Sequence, residues 1–98
     1  MTSELFIFAR FHAKEGLQKE VAATIQEVLS PTRQEPGCVS INAFCASQNP
    51  RLFYIHSRWK DEAAFDHHAQ LPHTVRFVER VQPFIDHPLE VTRTWPLA

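Results

Sequence analysis

From Glu4 to Ala13 the chain carries Leu5, Phe6, Ile7, Phe8 and Phe11 almost without polar interruption. That pattern predicts a β-strand with apolar contacts on both faces. Gly16 ends it, and Leu17, Val21, Ile25, Val28 and Leu29 then recur at helical spacing, leaving Gln18, Lys19 and Glu27 for solvent. Pro31 lacks an amide hydrogen and biases Ser30 away from helical geometry, so this helix is expected to end or kink near Leu29. Glu35, Pro36 and Gly37 read as a turn. Residues 38–46 alternate as a second strand, Ser47 to Pro50 form a short polar loop, and residues 52–59 make a third strand. Asp61 is placed to cap a helix continued by Ala63, Ala64 and Phe65. Pro72 interrupts that helix and can open another, in which His73, Phe77 and Val81 share a face. After Pro83 and Pro88, residues 89–95 form a last strand.

The order β-α-β-β-α-α-β is a split βαβ pattern, which predicts an α+β, ferredoxin-like fold with an antiparallel sheet and helices on one side. Strict alternation puts Leu5, Ile7, Ala9, Phe11, Val39, Ile41, Ala43, Phe53, Ile55 and Trp59 on one sheet face, to receive the helices. The other face collects Phe6, Phe8, Phe44, Leu52 and Tyr54 beside Arg10, His12, Asn42, His56 and Arg58. Helices in so short a chain can cover only one face. The uncovered aromatics would form a large exposed patch, so a second sheet, most simply that of an identical subunit, is expected to cover them.

Composition narrows the classes without choosing among them. Ninety-eight residues, 44% apolar and 21% charged, fit one domain, residues 1–98. A net charge of -1 with the 10 basic residues scattered provides no footprint for nucleic acid or an anionic membrane. The first 13 residues include Glu4 and Arg10, which suits neither a signal-peptide core nor a bilayer span, so a cytoplasmic protein is expected. Cys38 and Cys45 lie seven apart in one strand, roughly 23 Å at ~3.3 Å per residue, too far to bridge, and both read as small buried hydrophobes. The chain has only two glycines and no phosphate loop or G-x-S-x-G elbow.

Candidate chemistry gathers in the stretch from Arg58 to His73. His68 follows Phe65 and Ala64 on the helix face turned to the sheet, and His73 precedes Phe77 and Val81 on another apolar face. Trp59 comes from the sheet side of the same space, where its indole can stack on a ligand while its N–H donates. Either histidine alone reads equally as a core residue bonded to a carbonyl. Together with Trp59 they favour a pocket for a flat, apolar substrate with a few polar handles. No histidine pair has the H-x-x-x-H spacing of two metal ligands on one helical turn, and Pro72 breaks the register between His68 and His73, so no metal is expected. His67 and His87 read as solvent residues, and His12 and His56 as dimer contacts.

Ala9-Arg10-Phe11, Lys14-Glu15-Gly16, Pro31-Thr32-Arg33, Glu35-Pro36-Gly37-Cys38, Trp59-Lys60-Asp61, His68 and Pro72-His73 together resemble the antibiotic biosynthesis monooxygenase family, in its single-domain quinol monooxygenase branch. The resemblance spans nearly the whole chain. It implies a dimeric α+β barrel with a pocket between sheet and helices in each subunit, and oxidation of phenolic or hydroquinone-like rings by O2 without metal, haem or flavin. One departure is Ser57, where many relatives carry a glutamate two residues before the tryptophan. A carboxylate role there would pass to His68 or His73, or be absent.

A cofactor-free oxidation of a phenol needs a base, a dry pocket and donors for the developing oxyanion. His68 is the expected base, His73 a polar contact or proton shuttle, and Trp59 a stacking wall and donor. Ile55, Phe65 and Phe77 would shape the pocket, with Ser57 as a minor hydrogen-bonding group. The expected partners are a small aromatic substrate, O2 and a second copy of the chain. An isomerase of small oxygenated metabolites, a haem-binding or haem-degrading protein and a non-catalytic binding dimer remain as alternatives, because fold likeness alone does not choose a function.

Overall fold

The apolar run at the start of the chain becomes an inner strand. In the computed structural model, which describes residues 3–98, β1 (Leu5–His12) pairs with β3 (Asn49–Trp59) on one side and β4 (Glu90–Thr94) on the other. β2 (Cys38–Ala46) lies beyond β3, so the sheet order is β2-β3-β1-β4 with antiparallel neighbours throughout. The helices are α1 (Gln18–Arg33), α2 (Glu62–Gln70) and α3 (Pro72–Val81), followed by a short 3-10 turn, Gln82–Phe84. This is the ferredoxin-like α+β topology expected from the sequence. None of the described helices is long and apolar enough to cross a membrane. Met1 and Thr2, on which the reading of the chain's start partly rests, lie outside the described residues.

The core sits between one sheet face and the helices. Ala9, Phe11, Ile41, Phe53 and Ile55 from the strands meet Val21, Ile25 and Val28 of α1 and Phe77 and Val81 of α3. A second cluster, Leu5, Ile7 and Trp59, packs against Ala64 and Phe65 of α2. Burying each large apolar side chain contributes about 1.5–3 kcal/mol, so these two clusters hold the helices to the sheet. On the opposite face Phe8 and Phe44 remain about half exposed, as the alternation predicts for a chain taken alone.

Four local expectations are corrected. Helix α1 continues through Pro31 to Arg33 instead of ending near Leu29. Its last turn tightens, with the amides of Gln34 and Glu35 bonding the carbonyls of Pro31 and Thr32, and tertiary contacts hold it there. Thr32 is fully buried, and the Arg33 guanidinium donates to the Ile41 carbonyl at 2.9 and 3.2 Å. Val39 is exposed, not core, because a register shift between Cys38 and Ser40 makes it the extra residue of a bulge and turns Cys38 inward beside Trp59. Cys45 is exposed, not buried, at the hairpin end beside a second register shift. Only Ser47 and Gln48 form the hairpin turn, and β3 starts at Asn49; Pro50 is tolerated there because it falls in that irregular stretch.

Gly37 closes the turn between α1 and β2 against α2. A Cβ built on it would lie 2.5 Å from the Ala64 Cβ, and its carbonyl accepts from the Lys60 amide at 3.0 Å. Gly37→Ala should therefore destabilise the fold by about 1–3 kcal/mol, as overpacking does. A urea midpoint equal to that of the unsubstituted chain would show that the turn and α2 are not in the close contact described.

Candidate functional site

α2 brings the principal side chain into place. The Asp61 carboxylate accepts from the Ala64 amide at 2.8 Å and fixes the helix start, as the sequence indicated. From there the helical period turns His68 inward, where only 9% of it is exposed. Its ring lies 4.5 Å from that of Trp59 and 5.6 Å from that of Phe65, centroid to centroid. Pro72 occupies the first turn of α3, where its missing amide hydrogen costs nothing, and the new helix direction carries His73 back toward His68.

The two imidazoles meet on one carboxylate. His68 Nδ1 and His73 Nε2 each lie 2.7 Å from Oε2 of Glu35, which is itself only 9% exposed. As a carboxylate, Glu35 can only accept, so both ring nitrogens donate to it. The Thr74 hydroxyl stands 3.2 Å from the same His68 nitrogen. This arrangement leaves Nε2 of His68 with no hydrogen bond among the described residues. Burial lowers the His68 pKa from its ordinary value, the Glu35 hydrogen bond and charge oppose that shift, and His73 adds to it. Loss of hydration wins, so the ring is neutral at neutral pH and Nε2 carries a lone pair.

His68 borders an apolar cavity of about 240 Å³ between the sheet and the helices. Ile7, Ala9, Ile41 and Ile55 form its floor, with Phe65 and Phe77 at its sides, and His68, Ser57, Thr32 and Thr74 supply its hydroxyl and imidazole groups. Val78 and Val91, 36% and 47% exposed, mark an opening between α3 and edge strand β4. The volume lies below the ~300–1,000 Å³ of sites for drug-sized ligands, which limits an occupant to one or two fused rings.

Of the side chains expected at the site, His68, Ile55, Ser57, Phe65 and Phe77 line the cavity, whereas Trp59 and His73 do not. Trp59 is fully buried behind His68, and its indole N–H donates to Ser57 Oγ at 2.9 Å. It therefore backs the imidazole and aligns Ser57, in place of the ligand-stacking wall and donor read from the sequence. His73 bonds Glu35, which does not line the cavity either, so His73 is linked to the cavity through Glu35 and His68. Glu35 is the residue the sequence reading left in a turn. Its only early signal is its place in the Glu35-Pro36-Gly37-Cys38 stretch of the family resemblance. His67 is exposed, His56 stacks on Phe8, and His12 bonds Asp86 at 2.6 Å.

On any one helix, no pair of histidines has metal-ligand spacing. The fold adds a third donor, and the ligand atoms of Glu35, His68 and His73 lie within 4.8 Å of one another, a two-histidine, one-carboxylate set. At 2.7 Å the three atoms already satisfy one another as hydrogen-bond partners, so an ion would have to replace the two shared protons.

The sequence profile of the family described as "Antibiotic biosynthesis monooxygenase" matches residues 5–80, which contain every element from β1 through most of α3 and all three members of this triad. The chain belongs to the antibiotic biosynthesis monooxygenase family. Mycobacterium tuberculosis Rv0793, named a "Putative monooxygenase", is 28% identical over 97 residues, 99% of this chain and 95% of that protein. Its solved structure superposes with a TM-score of 0.92 at 25% identity, covering 98% of this chain and 97% of that one. The Synechocystis protein sll1783 is 28% identical over 87 residues, 89% of this chain, and the chain spans only 59% of its length. Pseudomonas aeruginosa PA3566, at 23% identity and a TM-score of 0.91 over 100% of this chain and 98% of that one, shares the fold.

Within this ABM-family domain, replacing the shared carboxylate should move the His68 pKa in a defined direction. Glu35→Gln removes the charge that opposes desolvation, so the His68 pKa should fall further below its ordinary value. An NMR titration of the imidazole carbon protons reads this directly; an unchanged or raised pKa would show that Glu35 does not hold the ring.

Proposed function

We propose that this chain is a cofactor-independent monooxygenase that oxidises a phenolic or quinol-type aromatic molecule with O2, acting as a homodimer. The observation that carries the reading is the neutral His68, oriented through Nδ1 by Glu35 with Nε2 free beside an apolar cavity. Family membership and the monooxygenase name of Rv0793 agree with it.

Nε2 takes the proton of a ring hydroxyl, and the imidazolium that forms is stabilised by the buried Glu35 carboxylate. The electron-rich phenolate then gives an electron to O2, and recombination forms a carbon–oxygen bond. The C–H bond at that carbon breaks together with the O–O bond; its electron pair forms the carbonyl, and its proton, with the one the imidazolium returns, completes the water. One oxygen atom enters the ring as a carbonyl and the other leaves as water. The ring supplies all four electrons, so no external reductant is consumed. The apolar walls exclude water from the phenolate and strengthen each electrostatic contact.

The homodimer rests on the uncovered sheet face. Phe8 and Phe44 lie there about half exposed, His56 packs 4.9 Å from Phe8, and the Arg58 guanidinium lies 5.0 Å over the Phe6 ring. A second sheet would remove this aromatic patch from water. One observation favours a second reading: the Glu35, His68 and His73 donor set also suits a divalent transition metal, which would make the oxidation metal-assisted.

Oxygen uptake by chelator-treated protein, with hydroquinones and bicyclic phenols and corrected for autoxidation, should be saturable and fall at least about tenfold in His68→Ala. Uptake that appears only on adding a divalent metal would replace the base reading with the metal one, and saturable turnover without oxygen consumption would indicate an isomerase. Since burial lowers the His68 pKa from its ordinary value, the acid limb of kcat/KM should be centred below pH 6.5. A limb centred above 6.5 would contradict a desolvated base. Light scattering at micromolar concentration should report a dimer, and a monomer would remove the reason for the uncovered aromatic face.

A further inference from the structure

Away from the cavity, the fold gathers a second group of metal-ligating side chains that the proposed oxidation does not use. His12 closes β1, and Asp86 and His87 follow the 3-10 turn after α3. An antiparallel bridge between Ala13 and Ile85, and a bond from the Asp86 amide to the His12 carbonyl at 3.0 Å, bring the two segments side by side. His12 Nδ1 and His87 Nδ1 each lie 2.6 Å from the same oxygen, Oδ1 of Asp86. The other oxygen, Oδ2, accepts from the Arg51 guanidinium at 2.9 Å, and Arg51 Nε donates in turn to the Ala13 carbonyl at 2.9 Å. The ligand atoms of the two histidines and the aspartate all lie within 4.8 Å of one another, and none of the three residues lines the cavity.

Two imidazoles and a carboxylate converging on one point are a donor set for borderline divalent metals such as Zn2+. A carboxylate only accepts, so in the metal-free chain each Nδ1 donates to Asp86. Moving that proton to Nε2 gives a neutral ring whose Nδ1 lone pair points to where the three groups meet. Asp86 is already an anionic ligand. The hydrogen bond from His12, opposed by burial and reinforced by that from His87, lowers its carboxyl pKa to about 2. Arg51 plays the part of an outer partner that orients a ligating carboxylate while leaving Oδ1 for the ion. Tetrahedral ligands about 2.1 Å from zinc stand about 3.4 Å apart, so the 2.6 Å contacts need to open by about 0.8 Å. The His87 side chain, 69% exposed, is free to turn by that much, and the same exposure admits an ion with a water in the fourth position. The Glu35, His68 and His73 set is closed by comparison, since Glu35 and His68 are both buried.

We propose that His12, Asp86 and His87 bind a divalent transition metal, Zn2+ or a similar borderline ion, at a site separate from the cavity and independent of the oxidation proposed for it. The ion clasps the segment that leads into β4 onto the end of β1. Residues 85–89 join the 3-10 turn to the strand whose Val91 borders the cavity opening, so the site fastens the approach to that edge of the sheet. His12 and Asp86 come together only in the folded chain, so an ion bound there stabilises the fold.

The test is titration calorimetry of the full chain with Zn2+ alone at neutral pH, on protein treated with chelator and carrying no histidine tag, beside His12→Ala, His87→Ala and Glu35→Gln. The unsubstituted chain should show a zinc site that weakens at least about tenfold in His12→Ala and in His87→Ala, because losing a ligand costs no less than losing an outer partner, about 10–100-fold. Glu35→Gln should keep that site at the same affinity. Zinc should also raise the unfolding midpoint of the unsubstituted chain and leave that of His87→Ala, which lacks only an exposed ring, nearly where it was. No binding up to millimolar Zn2+, or an affinity that neither histidine variant changes, overturns the assignment. Binding that is lost in Glu35→Gln and kept in both histidine variants overturns it as well, and places the ion among Glu35, His68 and His73.

Discussion

A single carboxylate oxygen organises the functional half of this molecule. Oε2 of Glu35 takes hydrogen bonds from His68 and His73, which arrive on different helices and lie 33 and 38 residues away in the chain. A buried carboxylate is costly unless its lone pairs are used, and a buried imidazole is costly unless its N–H is. Glu35 and His68 are therefore admissible in the interior because they pair, and the half-buried His73 adds a second donor to the same oxygen. Moving α2 or α3 would strand a polar atom, so the triad ties the turn after α1 to the start of α3 more specifically than apolar packing alone would.

The chemistry follows from that constraint. Fixing Nδ1 as the donor leaves Nε2 as the bare nitrogen, and the apolar surroundings hold the ring neutral despite the adjacent negative charge. Desolvation and the carboxylate act on the His68 pKa in opposite directions, and desolvation prevails. Trp59 enforces the geometry from behind, packed against His68 while its N–H holds Ser57 at the cavity wall. Many family members are expected to carry a glutamate at the position of Ser57. Here Ser57 accepts the indole N–H of Trp59, and the carboxylate within hydrogen-bond reach of His68 is that of Glu35.

Much of the scaffold was legible in the sequence because it rests on period and local punctuation. Alternation along β1 and β3 assigned their core faces, and Asp61 and Pro72 marked two helix starts. His68 was readable as inward because Phe65 and Ala64 share its helical face. What escaped the sequence depends on contacts between distant residues. A glutamate beside Pro-Gly looks like a solvent turn until two histidines more than thirty residues away are folded onto it. Pro31 looks like a helix end until Thr32 is buried and Arg33 bonds the Ile41 carbonyl, which holds another turn. Val39 left the core face through a one-residue bulge that alternation cannot register. Trp59 was expected on the right face, but parity does not say whether an indole reaches a cavity or stands behind a neighbour.

On the other sheet face, the helix layer leaves Phe8 of β1 and Phe44 of β2 about half exposed. The central claim nonetheless concerns one nitrogen, and it can be read without a substrate. Long-range proton–nitrogen NMR correlation at neutral pH distinguishes the two neutral tautomers of histidine from the imidazolium. The account predicts His68 neutral with its proton on Nδ1 and a bare Nε2, beside His73 with a proton on Nε2. A proton on Nε2 of His68, in either the other tautomer or the cation, would leave the cavity without a base and contradict it.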